Sequence, residues 1–138
     1  MQTKRVVITG IGTINPLGNS VKEFFTNLEK GVSGCEPIEE FDTTLFKTKF
    51  ACRIKDYSPE KSGFDRKEVR KYGKFSQYAL IAAKEAIEDS NLDLASMNLS
   101  RVGVILGSGI GGIYELNQEI MGYVEGGKTP RYSPFLIP

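Results

Sequence analysis

The chain has 138 residues, 40% of them hydrophobic and 25% charged, with 18 basic against 17 acidic side chains and a formal net charge of +1. That composition is ordinary for a globular domain, and the near-neutral balance provides no global field for nucleic acid or for an anionic membrane. With no histidine, the chain lacks the commonest general base and metal ligand, and no apolar run approaches the ~18 residues that cross a bilayer.

Residues 5–9, with Val6, Val7 and Ile8 in succession, are apolar on both faces and predict a strand of a parallel sheet covered by helices. The segment before it is too short and too punctuated for a secretory signal. Gly10, Gly12, Pro16 and Gly18 then interrupt regular structure. Ser20 followed by Glu23 forms a capping box. Val21, Phe24, Phe25 and Leu28 fall on one helical face, and Gly31 stands where a C′ glycine belongs. Strand, turn and helix in this order make the first part of a βαβ unit.

Residues 32–64 predict irregular structure with one short half-exposed strand, where Phe50, Cys52 and Ile54 alternate with small or polar residues. Asp65 begins a second helical segment. From Phe75, a stripe of Phe75, Tyr78, Ala79, Ala82, Ala83, Ala86 and Ile87 predicts a longer helix ending at Asn91, its alanines small enough for close packing. Residues 102–106 predict a second buried strand, followed by a glycine cluster. A further helix over 112–125 carries Ile113, Leu116, Ile120, Met121 and Val124 on one face until Gly126 and Gly127 stop it. The tail holds three prolines and an apolar end, Phe135-Leu136-Ile137-Pro138, and is expected to continue into further chain.

Gly107-Ser108-Gly109-Ile110-Gly111-Gly112 follows a strand and precedes a helix, as a dinucleotide fingerprint does. The fingerprint also asks for an acidic residue about 20 positions on, at the end of a second strand, and that region here is helix end and glycine. A tight turn with positive φ and close backbone contact is the structural alternative. Ile110 stands alone among glycines and must point into a core or a pocket. Residues 65–74 carry five positive and two negative side chains. Such a run is either a solvated helix face or a surface for an acidic partner. Cations near a helix N-terminus oppose the macrodipole, which favours the partner. Cys35 and Cys52 show no metal spacing and no CxxC. Nothing in their spacing requires a disulfide, and a reduced, cytoplasmic setting is the simpler reading. Neither has the cation, histidine or helix N-terminus that activates a nucleophile.

In number, order and spacing, several landmarks resemble the type II β-ketoacyl-[acyl-carrier-protein] synthases, the elongating condensing enzymes. They are Arg5-Val6-Val7-Ile8-Thr9-Gly10-Ile11-Gly12, Pro16-Leu17-Gly18-Asn19, Phe41-Asp42-Thr43, Arg66-Lys67-Glu68, the glycine cluster at 107–112, and Ser133-Pro134-Phe135. The resemblance implies an α/β, thiolase-like layered fold of two related halves. Residues 1–138 would be most of the first half, incomplete at the C-terminus. It also implies the reaction, in which an acyl group moves from its carrier to a cysteine and malonyl-carrier is decarboxylated. The resulting carbanion then attacks the thioester.

The family's catalytic cysteine sits at a helix N-terminus, where the dipole favours thiolate, and two histidines donate to the developing enolate. None of these carries over to a residue of this chain, so the piece alone is expected to be inactive. No cofactor and no metal are implied.

Binding residues do carry over. Ile110 corresponds to a residue that lines the acyl pocket and gates it. Phe135 and Leu136 correspond to a dimer-interface segment, with Leu136 reaching the partner's acyl pocket. Lys67, Arg70 and Lys71 correspond to cations that dock the acidic acyl carrier protein, whether acyl- or malonyl-loaded. A homodimer is implied, without nucleic acid or membrane. Two positions depart from the family: Gly73 replaces a frequent aspartate, and Leu136 a frequent phenylalanine, which would widen the pocket. The competing readings are a nucleotide-binding oxidoreductase domain, resting on the glycine motif, and a non-catalytic carrier-binding module, resting on the basic cluster.

Overall fold

A computed structural model describes residues 4–136. The first three residues, and Ile137 and Pro138 of the apolar end, lie outside the described residues. The chain divides into two units, one made of residues up to 58 together with 81–97, the other of 59–80 together with 98 onward.

In the first unit, helix α1 (Val21–Glu29) begins at Ser20, whose Oγ accepts from Glu23 N–H at 3.2 Å. The Glu23 carboxylate reaches back to Asn19 N–H at 2.8 Å, so the predicted capping box closes one residue early. The helix ends in a Schellman motif: Gly31 has φ +68°, and Gly31 and Val32 donate to the carbonyls of Leu28 and Asn27. The loop before α1 lies on residues 82–90 of helix α3 (Lys74–Ser90). A Cβ at Gly12 would stand 1.9 Å from the Ala82 carbonyl oxygen, and one at Gly10 2.2 Å from that of Ala86. The alanine stripe thus packs against glycine backbone.

Carboxylates of α3 hold the same loop. Glu85 accepts from Thr13 N–H at 2.9 Å and from Val21 N–H at 2.8 Å, and Asp89 accepts from Ile11 N–H at 2.9 Å. Glu85 therefore satisfies a donor of the first turn of α1 that the helix itself leaves open. As predicted, α3 stops at Asn91, which takes the left-handed conformation at φ +53°. Ile81 is the buried aliphatic side chain of this unit at 6% exposure.

The first unit also contains a two-stranded antiparallel sheet, β1 (Cys35–Pro37) with β2 (Phe50–Cys52), in the register Cys35 with Cys52 and Pro37 with Phe50. Strand β2 falls where the alternation of Phe50 and Cys52 predicts one, whereas β1 lies in a stretch whose pattern predicts irregular structure.

In the second unit, α2 (Arg66–Val69) is a single turn with its N-cap at Asp65, and α4 (Ile113–Glu125) is the long helix. A 3₁₀ turn, Leu99–Arg101, precedes the glycine segment. Helix α4 also ends on a left-handed glycine: Gly127 has φ +68°, and Lys128 donates to the Tyr123 carbonyl. Val69, 7% exposed, is the buried aliphatic residue here.

Residues 5–9 and 102–106, predicted as buried strands, form no ladder among the described residues. Their side chains face solvent, with Val6 89%, Val104 91% and Ile105 100% exposed. The pattern of a doubly covered strand is written in the side chains, whereas a strand exists only where a neighbour completes the ladder. Neither segment has that neighbour within its own unit.

Candidate functional site

The six residues singled out for binding all fall in the second unit. Asp65 accepts from Lys67 N–H at 2.8 Å and Glu68 N–H at 3.2 Å, and Val69 anchors the turn by its burial. The cations around it therefore point outward, and Arg66, Lys67, Arg70 and Lys71 are all exposed. Because α2 has one turn, Arg70 is its C-cap and Lys71 lies beyond it. This corrects the dipole reasoning: Arg70 and Lys71 occupy the end of a helix where cations are favoured. What sets them apart is their pairing. Arg66 meets Glu60 at 3.8 Å, whereas Lys67, Arg70 and Lys71 make no ion pair among the described residues.

Opposite these cations, the turn at 133–136 is held by α4. Glu119 accepts from Ser133 N–H at 3.1 Å, Ser133 Oγ accepts from Phe135 N–H at 3.2 Å, and the Ser133 carbonyl accepts from Leu136 N–H at 3.1 Å. Stacking of Tyr132 on Tyr123, with ring centres 5.9 Å apart, fixes the approach to the turn. The start of α3 joins α4 as well: Lys74 N–H donates to Glu115 at 3.0 Å, and its ammonium lies 5.3 Å from the Tyr114 ring centre.

Two clefts result. The smaller, ≈ 190 Å³, is lined by Arg70, Lys71, Tyr114, Glu115, Phe135 and Leu136 among others. The larger, ≈ 380 Å³, is lined by Ile110, Gly112, Ile113, Leu116 and Leu136. Leu136 borders both. Ile110 is 76% exposed, so of the two alternatives open to it, a core or a pocket, it takes an open apolar cleft. Lys67 lines neither cleft and stands on the outer surface of α2.

The glycine cluster behaves differently from a phosphate cradle. Gly111 alone in it has positive φ, at +68°, and a Cβ there would lie 3.7 Å from the Phe75 ring. Gly107 and Gly109 have open space around them. Of the tight-turn reading, the positive φ thus holds at one glycine of the motif and the close backbone contact at none, with Gly112 as the N-cap of α4.

The structure also shows a polar cleft that sequence reasoning passed over. In the first unit, ≈ 210 Å³ is enclosed by residues 15–19 with Asn27, Ser33, Lys55 and Asp56 among its lining. Asn15 Oδ1 accepts from Leu17 N–H at 2.8 Å, and Asn19 Nδ2 donates to the Lys55 carbonyl at 2.9 Å. The sequence signal was present in two asparagines flanking Pro16-Leu17-Gly18, since asparagine folds back on local backbone. Its wall at Lys55 comes from 36 positions away and was not legible.

Comparison with known proteins bears on this geometry. The family model for the β-ketoacyl synthase N-terminal domain matches residues 3–135. The chain is 40% identical over 99% of its length to 3-oxoacyl-[acyl-carrier-protein] synthase 2 of Staphylococcus aureus (strain COL). It is 41% identical over its whole length to the protein of that name from Coxiella burnetii. It spans 34% and 33% of those relatives, about a third of their length. Among solved structures, a β-ketoacyl synthase from Burkholderia phymatum STM815 superposes with TM-score 0.73 at 26% identity, over 98% of this chain and 33% of that one.

Proposed function

Since the chain belongs to the β-ketoacyl synthase family through its N-terminal domain and shares the thiolase-like α/β fold of ketosynthases, we propose that its activity is condensation in fatty acid elongation. A 3-oxoacyl thioester forms when the α-carbanion of one thioester attacks the carbonyl of another. Decarboxylation of a malonyl thioester generates that carbanion without a strong base. The acyl group is held on an enzyme cysteine, the new carbon–carbon bond displaces that thiolate, and carbon dioxide leaves. In this reading, residues 1–138 are the N-terminal portion of the synthase domain. They supply binding surface and no catalytic residue, and the protein works as a cytoplasmic homodimer without cofactor or metal. No helix among the described residues is long and apolar enough to cross a membrane. The family match leaves the dinucleotide reading without support.

One observation carries the assignment of roles: Leu136 borders both the cleft walled by Arg70 and Lys71 and the apolar cleft of Ile110. Arg70 and Lys71 beside an apolar space suit a ligand that is anionic at its carrier and aliphatic at its acyl end, the carboxylates of the same cleft, Glu115 and Glu119, being engaged by Lys74 N–H and Ser133 N–H. Lys67, Arg70 and Lys71 then dock the acidic acyl carrier protein, while Ile110, Phe135 and Leu136 line the acyl path. Free of ion pairs among the described residues, the three cations are available, and contacts of this kind act over about a Debye length and weaken with salt.

The test is titration of a fluorescent acyl-carrier protein at low and high salt. The Lys67→Glu, Arg70→Glu, Lys71→Glu triple variant should weaken binding at low salt by about 10- to 100-fold, and by less at high salt. Equal binding by the variant and the parent at low salt would refute the docking assignment.

A further inference from the structure

The hairpin sets its two cysteines face to face. Ile38 N–H donates to the Lys49 carbonyl at 3.0 Å, which makes 38 and 49 a hydrogen-bonded pair. Bonded and unbonded pairs alternate along an antiparallel ladder. Pro37 and Phe50 are therefore unbonded, Glu36 and Ala51 bonded, and Cys35 and Cys52 unbonded again. Pro37, which has no N–H, sits where none is needed. Unbonded partners have the closer spacing, with Cα atoms about 4.5 Å apart and side chains together on one face. A disulfide requires roughly 4.4–6.8 Å, so the register supplies the backbone geometry before any bond forms. The two sulfurs are already in contact at 2.8 Å, both residues are exposed, and both thiols are free.

We propose that Cys35 and Cys52 form a redox modification site, a reversible disulfide that staples β1 to β2 and closes the excursion at 36–51. The oxidant is a low-molecular-weight disulfide. One cysteine thiolate attacks it and expels a small thiolate. The second cysteine then attacks the mixed disulfide and expels the other small thiol. Two electrons and two protons leave the pair, giving one protein disulfide and two molecules of small thiol.

The contact ties the two thiols together: Cys52 is held above the ordinary thiol range, first by its hydrogen bond with Cys35 and then by desolvation, with Lys55 opposing. Either thiol can make the first attack, and its neighbour resolves the mixed disulfide. The staple closes next to the polar cleft of the first unit. Gly34 comes so near Pro16 that a Cβ there would lie 2.8 Å from the proline Cβ. On the exit side, the Lys55 carbonyl receives Asn19.

The experiment treats the full chain with oxidised glutathione and reads intact mass and a tryptic digest under non-reducing conditions. Both thiols should disappear together with a loss of about 2 Da, and peptides 31–47 and 50–53 should be joined. Dithiothreitol should restore both. Cys52→Ser should hold a single glutathione on Cys35, and Cys35→Ser a single glutathione on Cys52, neither being resolved. In denaturant, the resolving step should slow by about tenfold or more, because the register no longer holds the thiols together. Accumulation of glutathione on both cysteines of the parent, disulfide-linked dimers in place of the internal link, or equal resolving rates in native and denatured chain would each overturn the proposal.

Discussion

Position 73 shows how one residue's role can be carried by another. The Gly73 carbonyl accepts from Gln77 N–H at 3.1 Å, which places it at the N-cap of α3, where an aspartate side chain would satisfy a first-turn donor. Glycine cannot, and Glu115 of α4 takes Lys74 N–H instead. A Cβ at 73 would lie 2.9 Å from that carboxylate. Glu115→Ala should therefore cost about 1 kcal/mol. Gly73→Asp should restore it in the Glu115→Ala background but gain little in the parent, where two carboxylates would meet. Urea midpoints of the four chains check this, and an equal gain in both backgrounds would rule out the shared cap. Leu136 belongs to the same scale. If it lines the acyl path, Leu136→Phe narrows the space between the clefts and shifts acyl preference in the complete enzyme toward shorter chains, read from product lengths. The candidate cations, Ile110 and Leu136 were legible as residues through resemblance. That Arg70, Lys71 and Ile110 border two clefts sharing Leu136 was not, because Glu119 and Glu115 set it from another helix.

At the scale of elements, the most legible features were those whose determinants lie within a few residues. The caps at Ser20 and Asp65 and the glycines at 31 and 127 are local, and each appears where the pattern put it. The Gly10 and Gly12 turn was read as punctuation, and its full reason lies some 70 residues on, at Ala82 and Ala86. Gly12→Ala should cost about 3 kcal/mol from overpacking against backbone that cannot yield. Gly31→Ala, which meets open space but must keep φ at +68°, should cost about 1 kcal/mol. Thermal unfolding separates the two, and equal losses would count against close packing.

Strand β1 was missed because Cys35-Glu36-Pro37 has no alternation of its own and becomes a strand only opposite β2. Charge also ties this hairpin. Glu36 is held below the usual carboxylate range, first by the hydrogen bond from Lys55 and then, against desolvation, by the charges of Lys55 and Arg53. A depressed folded-state pKa stabilises above the ordinary glutamate value, and the gain is lost as pH falls through the depressed one. Hydrogen exchange of the hairpin amides should accelerate relative to other segments over that acid window. Lys55→Met should remove most of the difference.

For the whole molecule, the dominant fact is apolar surface. Val6, Ile8, Val104, Ile105 and the α4 residues Ile113, Leu116, Ile120 and Val124 are all exposed. Exposed apolar surface in each unit drives association, and unpaired strand-like backbone adds to it. In sedimentation, the isolated chain should show an average mass that rises with concentration, with strong binding of a hydrophobic dye. A concentration-independent single-chain mass with no dye binding would contradict the exposed faces. The sequence by itself determined family, helix positions, caps and the chemical character of the candidate binding residues, because these depend on side-chain identity and on spacing along a few turns. Tertiary structure alone decided which residues share a cleft, which carboxylate caps which helix, that Cys35 faces Cys52, and that two strand-like segments stand without a ladder among the described residues. Those outcomes depend on partners far away in the chain, and a ladder, a close approach or a contact between thiols exists only once both partners are in place.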